Sequence, residues 1–433
     1  MNSEETKFPL DNMLERRKRF LGPAYRLFYD RPLNIVRGDG VWLFDNDNKR
    51  YLDMYNNVAH VGHCHPHVVE AIRKQVGILN THTRYLHSNV LNYAERLLDK
   101  MPDELDVTMF SCTGTEANEL ALRIARTYTE GTGIIVTEDA YHGNSEAIAE
   151  ISTEDNEPED RSEYVVTVPA PDTYRGLYSN KDAAEKYAEH IKSALQKLKQ
   201  RNIKVAAFII DTIISSSGVV GPPPGYLRKA AEIVREAGGL FIADEVQPGF
   251  GRIGKTFWGY ESDDFVPDIV TMGKPMGNGH PIAATVIQRP LVEKFSNKTG
   301  YFNTFGGNPV SCAAAMAVMD VIEMEDLQKN ALEVGAFLKE GIKSIALKFP
   351  LIGDVRGSGF FLAIEMVEDS KKNPATKAAY KIVQELKERG ILTNTIGPDE
   401  NILKLRPPMV FTKENANFFL DQLEIVVKKF SYN

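Results

Sequence analysis

Seven short runs of this chain are apolar or β-branched along most of their length, and stretches with helical spacing separate them. The runs are 107–111, 133–137, 164–168, 205–210, 239–243, 268–272 and 282–287. Val205-Ala-Ala-Phe-Ile-Ile210 is apolar at every position, so both of its faces require cover. Strands of that kind alternating with helices predict an α/β fold: a mostly parallel sheet between helices. Ahead of them the spacing predicts a helix over about 9–21 and an irregular arm to about residue 40. Val41-Trp-Leu-Phe-Asp45 and Arg50-Tyr-Leu-Asp-Met54 flank the polar Asn46-Asp-Asn-Lys49, which reads as a hairpin. After a small-residue helix over about 308–323 the character changes. An amphipathic helix (326–347), glycine-punctuated strands within 352–365, a helix (376–389), a strand (402–406) and a last helix (412–430) predict a smaller α+β domain. The expected division is an N-terminal segment 1–60, a large domain 61–323 and a small domain 324–433, with loops at 152–163 and 171–180.

Composition narrows the class without naming it. The 433 residues are 43% apolar and 25% charged with a net charge of −8, so no basic footprint points to nucleic acid. The one dense basic run, Glu15-Arg-Arg-Lys-Arg19, reads as a solvated helix face. Cys64, Cys112 and Cys312 are far apart and in no ligand spacing, which fits a reducing compartment. No apolar run approaches the roughly 20 residues of a membrane span, and no signal-peptide pattern opens the chain. A cytoplasmic protein is expected, with no membrane partner.

Chemistry concentrates where predicted strands end. Phe241-Ile-Ala-Asp-Glu245 ends on two acids, and Asp268-Ile-Val-Thr-Met272 runs into Gly273-Lys274. A lysine among small residues at a strand end is placed to form an imine with a carbonyl cofactor. An aspartate at a neighbouring strand end can hold a pyridinium nitrogen protonated. Read alone, Asp244 could be a cap and Lys274 a solvated loop residue. Ser111-Cys-Thr-Gly-Thr-Glu-Ala-Asn118 opens a helix over 115–129. Its Gly-Thr pair suits a phosphate, although Thr115 could equally be an N-cap with Asn118 at N3. In Ala140-Tyr-His-Gly-Asn144, Tyr141 could stack on a flat ring and His142 bond beside it, or the loop could simply pack on the sheet end. Tyr301-Phe-Asn-Thr-Phe-Gly-Gly-Asn-Pro309 offers either a second phosphate contact or a tight turn into a helix.

Taken in order, these motifs resemble the class III, fold-type I, pyridoxal phosphate (PLP)-dependent aminotransferases over essentially the whole chain. The resemblance implies PLP as cofactor, a large domain with a seven-stranded sheet, and a small domain built from both termini. It implies Lys274 as the lysine that bonds PLP and the catalytic base, and Asp244 as partner of the ring nitrogen. Val246 and Tyr141 would cover the two ring faces, with His142 nearby, and Gln247 would reach the ring hydroxyl. Gly114 and Thr115 would hold the phosphate, joined by Thr304 of the partner subunit in a homodimer or tetramer. Tyr55-Asn-Asn-Val-Ala-His-Val-Gly-His-Cys-His-Pro66, Thr83-Arg-Tyr-Leu-His87 and Gly353-Asp-Val-Arg-Gly357 are similar to one branch, the "alanine–glyoxylate aminotransferase 2-like" phospho-lyases. Those enzymes release phosphate and ammonia from a phosphorylated amine.

Two departures bear on the reaction. Many ω-aminotransferases carry a Glu-Pro-x-Gln-Gly-Glu stretch whose last glutamate gates a substrate-binding arginine. Here Asp211-Thr-Ile-Ile-Ser-Ser-Ser-Gly218 puts Ser216 at the gate. Leu403-Lys-Leu-Arg-Pro-Pro408 nevertheless keeps an arginine, Arg406, where aminotransferases bind a carboxylate and the phospho-lyases often have lysine. The expected substrate contacts are Arg406, Asn57, Tyr85 and Arg84, of which Arg84, like His87, is a weaker candidate, and Arg175 reads as a loop-ordering residue. The small-molecule amine would be a phosphorylated amine cleaved by a lyase. The alternative is an ω-amine or β-amino acid donor transaminated with pyruvate or glyoxylate. Histidines 60, 63, 65 and 67 are spaced closely enough to suggest a metal, but no carboxylate or cysteine pattern completes a shell, and no metal is expected.

Overall fold

A computed structural model describes residues 10–154 and 160–431. Residue 9 of the first predicted helix and residues 155–159 of the first predicted loop lie outside the described residues. The described residues open with the helix Leu10–Leu21, which buries none of its residues in the single chain. Three short strands follow: β1 (Ile35–Asp39), β2 (Trp42–Asp45) and β3 (Arg50–Asp53). The β2–β3 turn is the predicted one. Asp45 Oδ1 accepts the N–H groups of Asp47 and Lys49 at 3.0 and 2.9 Å, and Asn48 takes the left-handed conformation that asparagine tolerates.

The seven apolar runs form one sheet. Its strands are β4 (Val107–Ser111), β5 (Gly133–Thr137), β6 (Val165–Val168), β7 (Val205–Asp211), β8 (Leu240–Asp244), β9 (Ile269–Met272) and β10 (Ala283–Ile287), in the order β4-β10-β9-β8-β7-β5-β6. Only β10 runs against its neighbours. β8 and β9 are buried at every position, as strands covered on both faces must be. The register pairs Asp211 with Asp244 and Asp244 with Thr271, so β7, β8 and β9 end level.

The remaining strands are β11 (Ile352–Ser358), β12 (Phe361–Met366), β13 (Ile391–Leu392), β14 (Asn394–Ile396) and β15 (Ile402–Leu405). Four of them form an antiparallel sheet ordered β11-β12-β15-β14. β13 instead pairs in parallel with β3, so the smaller α+β unit draws on both ends of the chain. The fold is the α/β fold type I expected. β1, β13 and β14 had no counterpart in the sequence reading. β1 is a largely exposed edge strand with a glycine and two charged residues, and the other two are only two and three residues long. Pairing partners, not apolar runs, hold them in place.

Candidate active site

The strands β4, β5, β7, β8 and β9 all end on one side of the sheet, where ligands bind in open α/β folds. The loops that follow them enclose a cavity of about 360 Å³. Gly114, Thr115, Tyr141, His142, Asp244, Val246, Gln247 and Lys274 all line it, joined by Cys112, Asp211 and Gly273. Eight of the predicted residues therefore meet at one place, although up to 160 positions separate them in sequence.

Alternation along a strand end splits the two acids of Asp244-Glu245 to opposite sides. Asp244, buried beneath the cavity, accepts from Asn118 Nδ2 at 2.9 Å and from its own loop at Val246 N, 3.0 Å. Its Oδ2 also lies 2.7 Å from His142 Nδ1. Burial pushes the Asp244 carboxyl up, but these contacts outweigh it, the His142 bond and charge foremost, and hold it below the ordinary value. His142 Nε2 is buried without a hydrogen-bond partner among the described residues. Glu245 faces the other way. It accepts from Thr212 Oγ1 (2.7 Å), Gly259 N (2.8 Å) and Tyr260 N (2.9 Å), pinning the turn at 259–263, and burial pushes its carboxyl up to about 8.

Lys274 is half-buried and lines the cavity. Burial, then the charge of Arg406, lower its ammonium below the ordinary lysine value, against the pull of Asp244 and Asp211. Arg406 sits one layer behind. Its Nη1 donates to Gln247 Oε1, Gln247 Nε2 donates to Ser215 Oγ, and Ser215 Oγ donates to Asp211 Oδ2. The guanidinium stacks over Tyr55, 4.6 Å from the ring centre. Gln247, expected at the ring hydroxyl, thus has both ends of its amide engaged by Arg406 and Ser215.

The helix Gly114–Thr129 points its start at the cavity. Its N-cap is Thr113, not Thr115, in a reciprocal box with Glu116, and Thr115 is left facing the cavity with its hydroxyl 3.3 Å from Asn144 Oδ1. The first N–H groups of a helix lack partners within it and favour an anion. A Cβ on Gly114 would stand 2.9 Å from both Val246 methyls, and one on Gly273 would stand 3.2 Å from Gly114 N. Only bare backbone leaves this floor open. An anion site at a helix start, an aliphatic floor at Val246, a buried carboxylate and a lysine with lowered basicity fit pyridoxal phosphate.

The other predicted residues lie elsewhere in the single chain. Arg84 is exposed over the Phe302 ring at 3.9 Å, and Tyr85 stacks on His82 at 5.1 Å. Thr304 is exposed beside Phe305. None of the three lines the cavity, so any part they take there has to come from another copy. His87 caps the helix Ser88–Leu98 through Nδ1 and Asn89 N. Asn57 is buried, one residue before the cavity-lining Val58, and its Nδ2 has no partner among the described residues. Arg175 binds Glu365, Asp399 and Asn401 across the smaller unit, as a loop-ordering residue would. The four clustered histidines diverge: His60 to Phe250 O, His63 to Asp53, His65 to Glu325 and His67 to Asp320. Among the described residues no group of metal-ligating side chains comes together. Sequence reasoning missed Asn118, which bonds Asp244, His142 O (2.8 Å) and Thr271 Oγ1 (2.6 Å) at once. Its signal was a polar residue among the buried Ala117, Leu120 and Ala121 of that helix.

Comparison with known proteins agrees with this geometry. Residues 28–427 match the family described as aminotransferase class-III. A Drosophila melanogaster protein named alanine–glyoxylate aminotransferase 2-like is 45% identical over 419 residues, covering 94% of this chain and 85% of that protein. A Caenorhabditis elegans protein named ethanolamine-phosphate phospho-lyase homolog 1 is 39% identical over 424 residues, covering 94% and 91%. The solved structure of a phospholyase from Arthrobacter in complex with phosphoethanolamine superposes with a TM-score of 0.93 at 42% identity, covering 96% of this chain and 99% of that one. No helix among the described residues is long and apolar enough to cross a membrane. This chain belongs to the class-III aminotransferase family, and it is an enzyme of that family.

Proposed function

We propose that this enzyme is a pyridoxal phosphate-dependent phospho-lyase that releases phosphate, ammonia and an aldehyde from a small phosphorylated amine such as O-phosphoethanolamine. The observation that carries the reading is Arg406: a buried guanidinium beside the cavity, bonded to the neutral amide of Gln247, with Ser216 where a gating glutamate would stand. An arginine without a carboxylate partner is suited to an anionic substrate group. The relatives named above support the choice of phosphate.

In this reading Lys274, Asp244, Val246, Gln247, Tyr141, His142, Gly114 and Thr115 hold the cofactor, with Thr304 of the partner subunit completing the phosphate contacts in a homodimer. Bound pyridoxal phosphate supplies an electron sink for the carbon that carries the substrate nitrogen. Lys274, with its basicity lowered by burial and by Arg406, takes the proton from that carbon at its Nζ near neutral pH. Asp244, kept ionised by His142 and Asn118, holds positive charge on the group facing it. Arg406 fixes the substrate phosphate, so that the C–O bond to it breaks with phosphate carrying off the electron pair. Water then completes the balance: one substrate and one water give acetaldehyde, ammonia and phosphate.

A second reading, aminotransfer from an ω-amine or β-amino acid to pyruvate or glyoxylate, draws on the same Arg406, because a guanidinium binds a carboxylate in the same bidentate way. Free phosphate released from O-phosphoethanolamine by the cofactor-loaded enzyme, with no keto acid present, separates them. Sustained release with equal acetaldehyde and ammonia is expected. No release, with amine consumed only when pyruvate is added, would give the site to the second reading.

A further inference from the structure

One buried cation next to the cavity has no place in the chemistry so far. Lys404 lies on β15, two residues before Arg406, so the two side chains leave the chain on the same side. Both are more than nine-tenths buried, at 4% and 5% exposure. Both heads lie over one ring, Lys404 Nζ 5.6 Å and Arg406 Cζ 5.7 Å from the centre of Phe361. Neither forms an ion pair with a carboxylate of the described residues; Asp211 attracts both, and Asp53 attracts Arg406, only at longer range, and Asp211 directs its oxygens to Ile213 N, Ser215 N and Ser215 Oγ of its own loop. Burying two like charges close together with no carboxylate in direct contact is costly unless an anion arrives to pair with them. Burial, then the Arg406 charge, hold the Lys404 ammonium well below its ordinary value, which is how two such cations coexist while no anion is present.

We infer that Lys404 and Arg406 form a two-cation cradle for a phosphate dianion, closed by Gln247, whose carbonyl gives up Arg406 when a phosphate oxygen takes its place. This rests on the phospho-lyase reading and extends it: Lys404, not Arg406 alone, selects a dianionic phosphate over a singly charged carboxylate or sulfonate. A phosphate spanning both heads receives charge-assisted bonds from each, while a monoanion satisfies one head and leaves the other uncompensated. Gln247, placed above among the residues that hold the cofactor, also latches the empty cradle to Ser215 and Asp211.

The test uses the holoenzyme, in which the cofactor's own phosphate occupies the helix start. In the wild-type enzyme at pH 8, ethyl phosphate should compete with O-phosphoethanolamine at least about tenfold more tightly than ethanesulfonate. Equal inhibition by the two overturns the cradle without any substitution. Lys404→Met should raise both the KM for O-phosphoethanolamine and the inhibition constant of ethyl phosphate by about ten- to a hundredfold. It should leave the ethanesulfonate constant within about threefold, and Lys404→Arg should restore most of the loss. Lys404→Met with unchanged constants overturns the cradle while the phospho-lyase reading stands. Equal impairment by Met and Arg means packing alone and also overturns it. A wild-type enzyme that frees no phosphate from O-phosphoethanolamine overturns the phospho-lyase reading itself.

Discussion

Replacing Glu245 by glutamine tests whether the two acids at the end of β8 have separate tasks. The wild-type carboxyl is fully buried among one hydroxyl and two backbone N–H groups, and its pKa is pushed up from 4.5 to about 8. A raised folded-state value contributes stability that is fully present below pH 4.5 and lost as pH climbs through 8. At about 1.4 kcal/mol per pH unit, the loss across that window is on the order of 5 kcal/mol. Glutamine cannot ionise, so its contribution is flat across the same range. It carries a different penalty: whichever way the amide is turned, its N–H₂ faces one of the two backbone N–H groups that the carboxyl accepted from. One hydrogen bond is then lost and one buried donor is left unmatched, about 1–3 kcal/mol.

The two effects oppose each other, so the difference between the proteins must change sign. Glu245→Gln should be the less stable protein at pH 5 and the more stable one above pH 8. Urea midpoints of wild type and variant, measured without cofactor at equal protein concentration from pH 5 to 9, read the difference directly. Cofactor absorbance of the loaded variant should match wild type, because Glu245 points away from the cavity. A stability difference that stays constant with pH would refute the raised value and the argument built on it. Loss of cofactor binding in the variant would refute the division of labour.

Three further perturbations read other parts of the site. His142→Leu removes the main contact that depresses Asp244; a depressed carboxyl contributes stability above its unfolded value near 4 that is lost as pH falls, so the acid-unfolding midpoint should move to higher pH, with about 1.5–3 kcal/mol lost at neutral pH. An unshifted acid transition counts against the pairing. Gly114→Ala puts a methyl 2.9 Å from both Val246 methyls and should weaken pyridoxal phosphate binding about tenfold or more, while costing about 1–3 kcal/mol of fold stability, measured by equilibrium dialysis and thermal unfolding. Tight cofactor binding in that variant would show that Val246 does not form the cofactor floor. Arg406→Gln should raise the KM for O-phosphoethanolamine about ten- to a hundredfold with a smaller change in kcat, since it removes a contact made equally by bound substrate and transition state.

The strands of the main sheet were legible because burial on both faces forces continuous apolar runs. β8 spans 240–244 against an expected 239–243, and β9 spans 269–272 against 268–272. Lys274, Asp244 and the Gly-Thr pair were legible for a related reason: each directly follows or ends such a strand, so sequence position already fixes the edge it occupies. Asn118 was not legible, because its importance depends on helix phase. Only the packing of Gly114–Thr129 across β8 and β9 turns that amide onto Asp244 and Thr271. The Arg406–Gln247 contact spans 159 residues and joins the smaller unit to the main sheet, and no local pattern encodes such a pairing. Arg84, Tyr85 and Thr304 fall in a third class, residues whose predicted roles need a second copy of the chain.

The arrangement behind Gln247 also bears on why one body can serve two reactions. A two-substrate aminotransferase alternates between an amine and a keto acid, so its arginine must be covered by a carboxylate for one partner and bared for the other. Here the arginine is covered by an amide. An amide offers one dipole against a full charge, and a hydrogen bond between two ionised partners is roughly twice as strong as one with a neutral acceptor. Arg406 therefore releases Gln247 at lower cost than it would release a glutamate, and among the described residues no carboxylate is in direct contact with it. A site built this way favours a substrate that is anionic on every turnover. Introducing an acid at Ser216 should shift it back, weakening phosphate-bearing amines and improving neutral ones. The ratio of kcat/KM for O-phosphoethanolamine to that for an uncharged amine with pyruvate measures this in Ser216→Glu, and an unchanged ratio would mean that the gate plays no part in choosing the reaction.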